Sequence, residues 1–369
     1  MREYIDGNEA ISRAALAAGC TFFAGYPITP ASSILANLLR DLPRAGGVGI
    51  QAEDEIAALG MCIGAAMAGA RAMTATSGPG MSLMSEHIGL AIMGEVPVVI
   101  VDCQRMGPAT GGATTVSQGD VQFARWVAPG GYPMVVLCPS SVVECYTLTM
   151  RAFNLADRLR TPVILLADKE VGATLSTVDS ESLAGIARET RPQAAPGPYT
   201  PYRYAPSAAI PDFAAIGGPQ IMRFTGSSHD ERGHLTKNPT TVARLNQHLR
   251  AKIESRRDEL AMVKADQQQG ARTLLVSYGA SAGSMRAAAA QARAHGLRVS
   301  ALTIHSLWPV PDKHIAAALT GIERIVVIEL NQGQYRREIE RHTGSREVIG
   351  VNRVDGELIT PNEIVAAIR

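Results

Sequence analysis

The sequence predicts an α/β protein of two doubly wound domains, each a mostly parallel sheet between layers of helices. Over the first 175 residues or so, short apolar runs alternate with Ala-rich helical runs, the pattern of strand–helix units feeding a parallel sheet. Runs such as Val98-Val99-Ile100-Val101 and Val163-Ile164-Leu165-Leu166 are apolar at every position, as strands buried on both faces are. The alternation stops near residue 175 and resumes at Arg272, which marks a second unit.

In chain order, residues 8–18 form an Ala-rich helix behind Gly7, and residues 21–25 form a short strand that ends in the Pro-rich turn Tyr26-Pro27-Ile28-Thr29-Pro30. Helices follow over 32–42 and 55–69, then a strand over 72–76. The turn Ser77-Gly78-Pro79-Gly80 opens a helix over 81–93. Strands over 97–102 and 134–138, a helix over 141–159 and a strand over 162–167 complete this unit. Prolines then cluster at Pro192, Pro196, Pro198, Pro201, Pro206, Pro211 and Pro219, so residues 175–220 read as an irregular excursion. A polar helix is expected over 240–265. Beyond it come strands over 273–277, 298–304 and 324–329, with helices over 281–294, 312–318 and 334–341. The expected division is 1–268 and 269–369.

Composition narrows the function. Apolar residues make up 46% of the 369 and charged residues 19%, enough for a large core. The formal net charge of +1 gives no electrostatic case for nucleic acid or an anionic membrane. No apolar run approaches the roughly 20 residues of a spanning helix. The start, Met1 to Ala10, has charge without an apolar segment after it, so no secretory signal is read and the cytoplasm is expected. The five cysteines, Cys20, Cys62, Cys103, Cys138 and Cys145, are scattered and form no CxxC pair. They read as reduced structural thiols, unable to ligate an iron–sulfur cluster of the usual spacing.

Several short motifs follow one another. Gly25-Tyr26-Pro27-Ile28-Thr29-Pro30 precedes Gln51-Ala52-Glu53-Asp54-Glu55, then Thr76-Ser77-Gly78-Pro79-Gly80, then Gln104-Arg105-Met106-Gly107-Pro108-Ala109-Thr110-Gly111. Near the end stand Leu307-Trp308-Pro309 and Glu329-Leu330-Asn331-Gln332-Gly333-Gln334. In this order the series resembles the alpha subunits of 2-oxoacid:ferredoxin oxidoreductases, most of all the 2-oxoglutarate and branched-chain types, over nearly the whole chain.

The resemblance implies a thiamine-diphosphate pyrimidine-binding domain followed by a transketolase C-terminal-like domain. The family divides the thiamine site between chains, and the diphosphate half carries a Gly-Asp-Gly turn. Here Gly119-Asp120-Val121 is the nearest stretch. Mg2+, the diphosphate contacts and a 4Fe-4S cluster are therefore expected on a beta subunit, in a heterotetramer of two alpha and two beta chains. The implied reaction is oxidative decarboxylation of a 2-oxoacid with coenzyme A, giving acyl-CoA, carbon dioxide and reduced ferredoxin. 2-Oxoglutarate is favoured, with branched-chain or aromatic 2-oxoacids as other substrates.

The resemblance also places the site. Thiamine must lose its C2 proton to its own 4′-imino group, and a carboxylate on N1′ favours that tautomer. Glu55 matches that carboxylate, with Glu53 as the fallback. Taken by position alone, Glu53, Asp54 and Glu55 are equally suited to capping a helix N-terminus. Pro27, Ile28, Ser77 and Gly78 would contact the cofactor. Thr29 and Arg105 would meet the substrate, Arg105 because a guanidinium matches a carboxylate in a bidentate fork. Thr110 and Gly111 would line the same pocket, with Gln118 and Asp120 as weaker candidates.

Two features stand apart. Relatives of the 2-oxoglutarate type often carry a Gly-x-His-Gly-Asp-like stretch where this chain has Val127-Ala128-Pro129-Gly130-Gly131-Tyr132, so substrate identity does not transfer directly. The polar loop with His229-Asp230 matches no standard metal spacing and is expected to be structural or interfacial. Two rivals remain: a non-oxidative thiamine decarboxylase subunit, which a partner without cluster cysteines would favour, and a non-catalytic scaffold.

Overall fold

The computed structural model describes residues 2–183 and 185–368. Its strands are β1 (Arg2–Ile5), β2 (Phe22–Gly25), β3 (Val48–Gln51), β4 (Ala72–Thr76), β5 (Val98–Gln104), β6 (Val135–Leu137), β7 (Pro162–Asp168), β8 (Ser176–Asp179), β9 (Val263–Asp266), β10 (Thr273–Ser277), β11 (Val299–Ile304), β12 (Ser306–Trp308), β13 (Arg324–Glu329) and β14 (Glu347–Asn352). The helices are α1 (Gly7–Ala17), α2 (Ser32–Asp41), α3 (Glu55–Met67), α4 (Gly78–Met93), α5 (Val121–Arg125), α6 (Val142–Leu159), α7 (Lys169–Ala173), α8 (Pro239–Glu254), α9 (Arg257–Leu260), α10 (Ser281–Ala294), α11 (Asp312–Ala318), α12 (Arg336–Thr343) and α13 (Pro361–Ile368).

The strands build two large sheets. The first has the order β12-β6-β7-β5-β4-β2-β3, the second β14-β13-β10-β11-β9. Within the first, β2 to β7 pair in parallel and β12 joins the edge antiparallel to β6. Both faces are covered. Val98 and Ile100 of β5 pack into one core while Val99, Val101 and Cys103 pack into the other, which is why that strand lacks polar/apolar alternation. Each such valine or isoleucine contributes about 1.5–3 kcal/mol by leaving water. The core holding Val98 continues into the second sheet through Leu274, Val276 and Leu302.

The sheets exchange edges. Val263–Asp266 lies before residue 268 and pairs antiparallel with β11, while Ser306–Trp308 lies after it and completes the first sheet. The helix expected over 240–265 is therefore corrected: α8 stops at Glu254, and β9 takes the end of that span. Its charged Lys264 and Asp266 are at home on an edge strand, which half faces solvent.

The irregular excursion is present but starts later than expected, because β8 pairs antiparallel with β1 over Ser176–Asp179. From residue 185 to Asn238 only isolated bridges occur, Gln193 with Phe213 and His229 with Leu235. The segment is held by side chains instead. Arg160 Nη1 donates to the carbonyls of Pro201 (3.0 Å) and Asp212 (2.9 Å), and Arg191 pairs with Asp157 at 2.7 Å.

Candidate functional site

The strand order of the first sheet reverses at β2. From there the chain steps out to β3, returns to β4 on the other flank and continues to β5. Ligands of open α/β sheets collect at the carboxyl ends of strands beside such a reversal. Thr29 follows β2, Glu55 follows β3, Ser77 and Gly78 follow β4, and Arg105 follows β5. The fold therefore gathers the principal candidates at one end of one sheet.

Of the three acids before α3, geometry separates the roles. Asp54 is the cap: its carboxylate accepts from Ala57 N at 2.8 Å. Glu53 is exposed. Glu55 is the first helical residue and only 5% exposed. No donor among the described residues reaches its carboxylate within hydrogen-bonding distance. It lies against Gly80, where a Cβ would stand 2.7 Å from Glu55 Oε1 and would meet the Thr76 hydroxyl as well. With no protein donor engaged, this carboxylate is suited to a ligand that brings a donor.

Thr29 and Arg105 meet directly, Arg105 Nη1 donating to the Thr29 carbonyl at 2.7 Å. Arg105 is 7% exposed and its Nε is buried without a partner. Thr29 and Pro27 are exposed, and Ile28 packs on the core behind them. The Ser77 hydroxyl is buried and unpartnered beside Gly78. Thr110 and Gly111 sit exposed at the tip of a turn closed by Gly112 N to Met106 O at 2.8 Å, and Gly111 there adopts φ +48. That turn leans on the second sheet's side of the molecule, where Thr115 touches Gly356.

Sequence reasoning missed Asp102 and Asp168 under this site, and named Asp120 only as a weaker candidate. Asp102, on β5, is fully buried and neither of its oxygens has a partner; burial, then the nearby Asp120, raises its carboxyl well above the ordinary value. Burial also pushes Asp120 up to about 6, against the pull of Arg105. Asp168, at the end of β7, accepts from Gln104 (2.9 Å), from Gln118 (3.1 Å) and from Ala280 N. Burial outweighs those bonds and sets it at about 7. The available signal was a lone aspartate closing each all-apolar strand.

Gln118, considered a weaker candidate, is a joint between the sheets. Its Nε2 also donates to Tyr278 O at 3.0 Å, while its Oε1 accepts from Ser281 Oγ (2.8 Å) and Leu330 N (2.9 Å). Asn331 Nδ2 donates to the Gln118 carbonyl at 2.8 Å, and Gln334 bonds Gln122 N at 2.9 Å. The Glu329–Gln334 segment is thus engaged inside this chain. His229 is structural: it is fully buried, stacks on Tyr202 at 4.1 Å, and its Nδ1 bonds Ser227 O at 2.9 Å.

All five cysteines are buried and unpaired. Among the described residues no three His, Cys, Asp or Glu side chains are grouped to hold a metal ion, and no helix is long and apolar enough to cross a membrane. A cavity of about 380 Å³ lies between α6, α7 and α10, lined in part by Ser141, Glu170 and Ala280, and includes none of the candidate residues.

Residues 13–247 match the family model for the thiamine-diphosphate-binding domain of pyruvate flavodoxin/ferredoxin oxidoreductases, and residues 271–364 match core domain II of pyruvate:ferredoxin oxidoreductase. The 2-oxoglutarate synthase subunit KorA of Methanothermobacter thermautotrophicus is 42% identical over 364 residues, covering 98% of this chain and 96% of that protein. The ketoisovalerate oxidoreductase subunit VorB of Methanothermobacter marburgensis is 34% identical, covering 100% and 97%. Among solved structures, the 2-oxoglutarate:ferredoxin oxidoreductase from Magnetococcus marinus, with 2-oxoglutarate, coenzyme A and succinyl-CoA bound, superposes with a TM-score of 0.93 at 33% identity. This chain is wholly covered and spans 64% of the length of that one.

Proposed function

The chain belongs to the 2-oxoacid:ferredoxin oxidoreductase family as an alpha subunit, and on that premise we propose that it works with a beta subunit to convert a 2-oxoacid, 2-oxoglutarate first, and coenzyme A into acyl-CoA, carbon dioxide and reduced ferredoxin. The observation that carries this reading is the Glu55 carboxylate, buried, without a protein donor and held against Gly80.

The residues present fit the pyrimidine half of thiamine diphosphate. Glycines at 78 and 80 leave the backbone bare at the mouth of β4, and Glu55 supplies the one acceptor the ring's N1′ needs. When bound, the cofactor supplies a nucleophilic carbon and a sink for the electron pair left as carbon dioxide departs. The protein's own part is to hold a proton at N1′ through Glu55 and to seat the substrate carboxylate against Arg105 beside Thr29. Pro27, Ile28, Ser77 and Gly78 would hold the ring. Thr110 and Gly111 close over the substrate from the turn behind Met106.

Mg2+, the diphosphate contacts and the 4Fe-4S cluster belong to the beta subunit. This fits a chain whose cysteines are all free and buried. Two alpha and two beta chains assemble in the cytoplasm, and the seven-stranded and five-stranded sheets, which exchange the edge strands β12 and β9 across residue 268, form the pyrimidine-binding and transketolase C-terminal-like units. Co-purification with the native partner, followed by a screen of 2-oxoacids with coenzyme A and a viologen dye, tests the reading. Dye reduction that requires 2-oxoglutarate and coenzyme A is expected; its absence with every 2-oxoacid would contradict it.

A further inference from the structure

We propose that Asp102 and Asp120, buried together beside the end of β4, act as a carboxyl pair that keeps one proton and sets a single negative charge near Arg105, making the pocket receptive to a 2-oxoacid anion. The inference rests on the proposed function for its substrate and on the geometry for the pair.

The two acids arrive from different segments. Asp102 lies on β5, in register with Thr76 of β4, so it sits beside the strand that ends in Ser77-Gly78. Asp120 is fixed by its backbone, whose N–H donates to Gln104 Oε1 at 3.0 Å. Its carboxylate lies against Gly78, where a Cβ would stand 3.0 Å from Oδ2. Both Asp102 oxygens and Asp120 Oδ2 are buried with no partner, as is the Ser77 hydroxyl. Two carboxylates in such a place do not both ionise; the second proton stays with the pair.

The surrounding charged and titratable groups are few. Arg105 shares the strand end and pulls Asp120 toward its ionised form. Glu55 lies against Thr76 through Gly80, Asp168 stands beyond Gln104, and the Cys103 thiol faces the opposite core. Asp120 titrates near 6 and Asp102 well above its ordinary value. Between these, one negative charge balances one guanidinium. An incoming carboxylate then meets Arg105 in a neutral setting. Loss of the last proton turns that setting negative and repels the substrate.

The test uses the complex reconstituted with the beta subunit. KM for the 2-oxoacid is expected to rise on the alkaline side by up to about tenfold per pH unit, the slope of one titrating group, with kcat changing much less. In Asp102→Asn that rise should disappear; a rise identical to wild type would overturn the pair. Infrared spectra of the full chain provide an arm independent of activity. Of the buried carboxylic-acid absorption at neutral pH, to which Asp168 also contributes, one component should be lost in Asp102→Asn and shifted in Asp120→Asn. A band unchanged in both overturns the proposal, even where the complex turns over no 2-oxoacid and the functional reading itself has failed. Should Asp102→Asn not fold, Asp120→Asn alone decides, an unshifted band counting against the pair.

Discussion

Position 80 is bare because position 55 is not: a Cβ on Gly80 would stand 2.7 Å from Glu55 Oε1 and run into the Thr76 hydroxyl. The helix α4 starts where it does, two residues before Gly80, with Gly80 N bonded to Ser77 O at 2.8 Å, so neither backbone is free to step aside. Gly80→Ala is expected to push the carboxylate out of place. A misplacement of about 1 Å costs roughly 10²-fold in rate, while overpacking costs about 1–3 kcal/mol of stability. A steep fall in kcat with a modest fall in Tm is the expected outcome, read by steady-state kinetics and thermal unfolding of the same preparation.

Arg105→Lys keeps the charge but loses the planar fork. The expected loss is about 1–3 kcal/mol, as for a hydrogen bond to a charged group, and it should appear in KM more than in kcat. The variant also replaces the guanidinium Nη1 that donates to the Thr29 carbonyl with a shorter ammonium, so Thr29 should become less well placed. Steady-state kinetics across substrate concentration checks this. An unchanged KM in a folded variant would remove Arg105 from the substrate site.

Away from the site, Glu95 anchors the irregular segment from below. Its Oε2 accepts from Lys252 Nζ at 2.9 Å and meets His248 Nε2 at 3.0 Å, all three side chains being buried. Burial opposes the charge, but Lys252 and His248 outweigh it and hold the carboxyl below its ordinary value of 4.5. A depressed carboxyl stabilises the fold above its unfolded pKa, and that contribution is lost as pH falls through the folded value. Glu95→Gln leaves the buried Lys252 uncompensated and is expected to cost about 3–5 kcal/mol at neutral pH. Denaturant unfolding as a function of pH should show a shallower acid limb in the variant than in the wild type.

The chain purified without a partner is expected to carry no iron, no acid-labile sulfide and no activity. Every cysteine is buried, and burial raises each thiol far from the thiolate that a cluster needs. Iron with stoichiometric sulfide in the lone chain would contradict this.

How far the sequence reached depends on what each residue reports. Strands β5 and β7 were legible because Val98–Val101 and Val163–Leu166 are apolar on both faces, and only a sheet covered on both sides needs that. Strand β9 was not, because Val263-Lys264-Ala265-Asp266 follows a helix and gains its strand character only from Ile304 and its neighbours on β11. Strands β3 and β14 lie at sheet edges, half-exposed, and their short apolar stretches are interrupted by Gly49 and Gly350. In the site, motif order pointed to Glu55, Thr29 and Arg105, but composition could not say which of three consecutive acids caps α3. That took the Asp54 bond to Ala57 N. Asp102 was hidden because one aspartate at the end of an apolar run looks like the end of a strand. Its lack of any partner is visible only once β4 and the Gly119-Asp120 turn are placed beside it.

The central claim is that Glu55 manages the proton at N1′ of the bound cofactor. Glu55→Gln is nearly isosteric, so the fold should stand, and with the diphosphate contacts proposed on the partner chain, thiamine diphosphate affinity should change little. Exchange of the thiazolium C2 proton for deuterium, followed by quenching and NMR in the reconstituted complex, reads the claim without substrate. A positioned acid/base group is worth about 10²-fold or more, so exchange in Glu55→Gln should slow by at least that factor while the exposed Glu53→Gln stays near wild type. Near-normal exchange in Glu55→Gln with slow exchange in Glu53→Gln would move the role to Glu53 and contradict the claim for Glu55, and normal exchange in both would contradict the account.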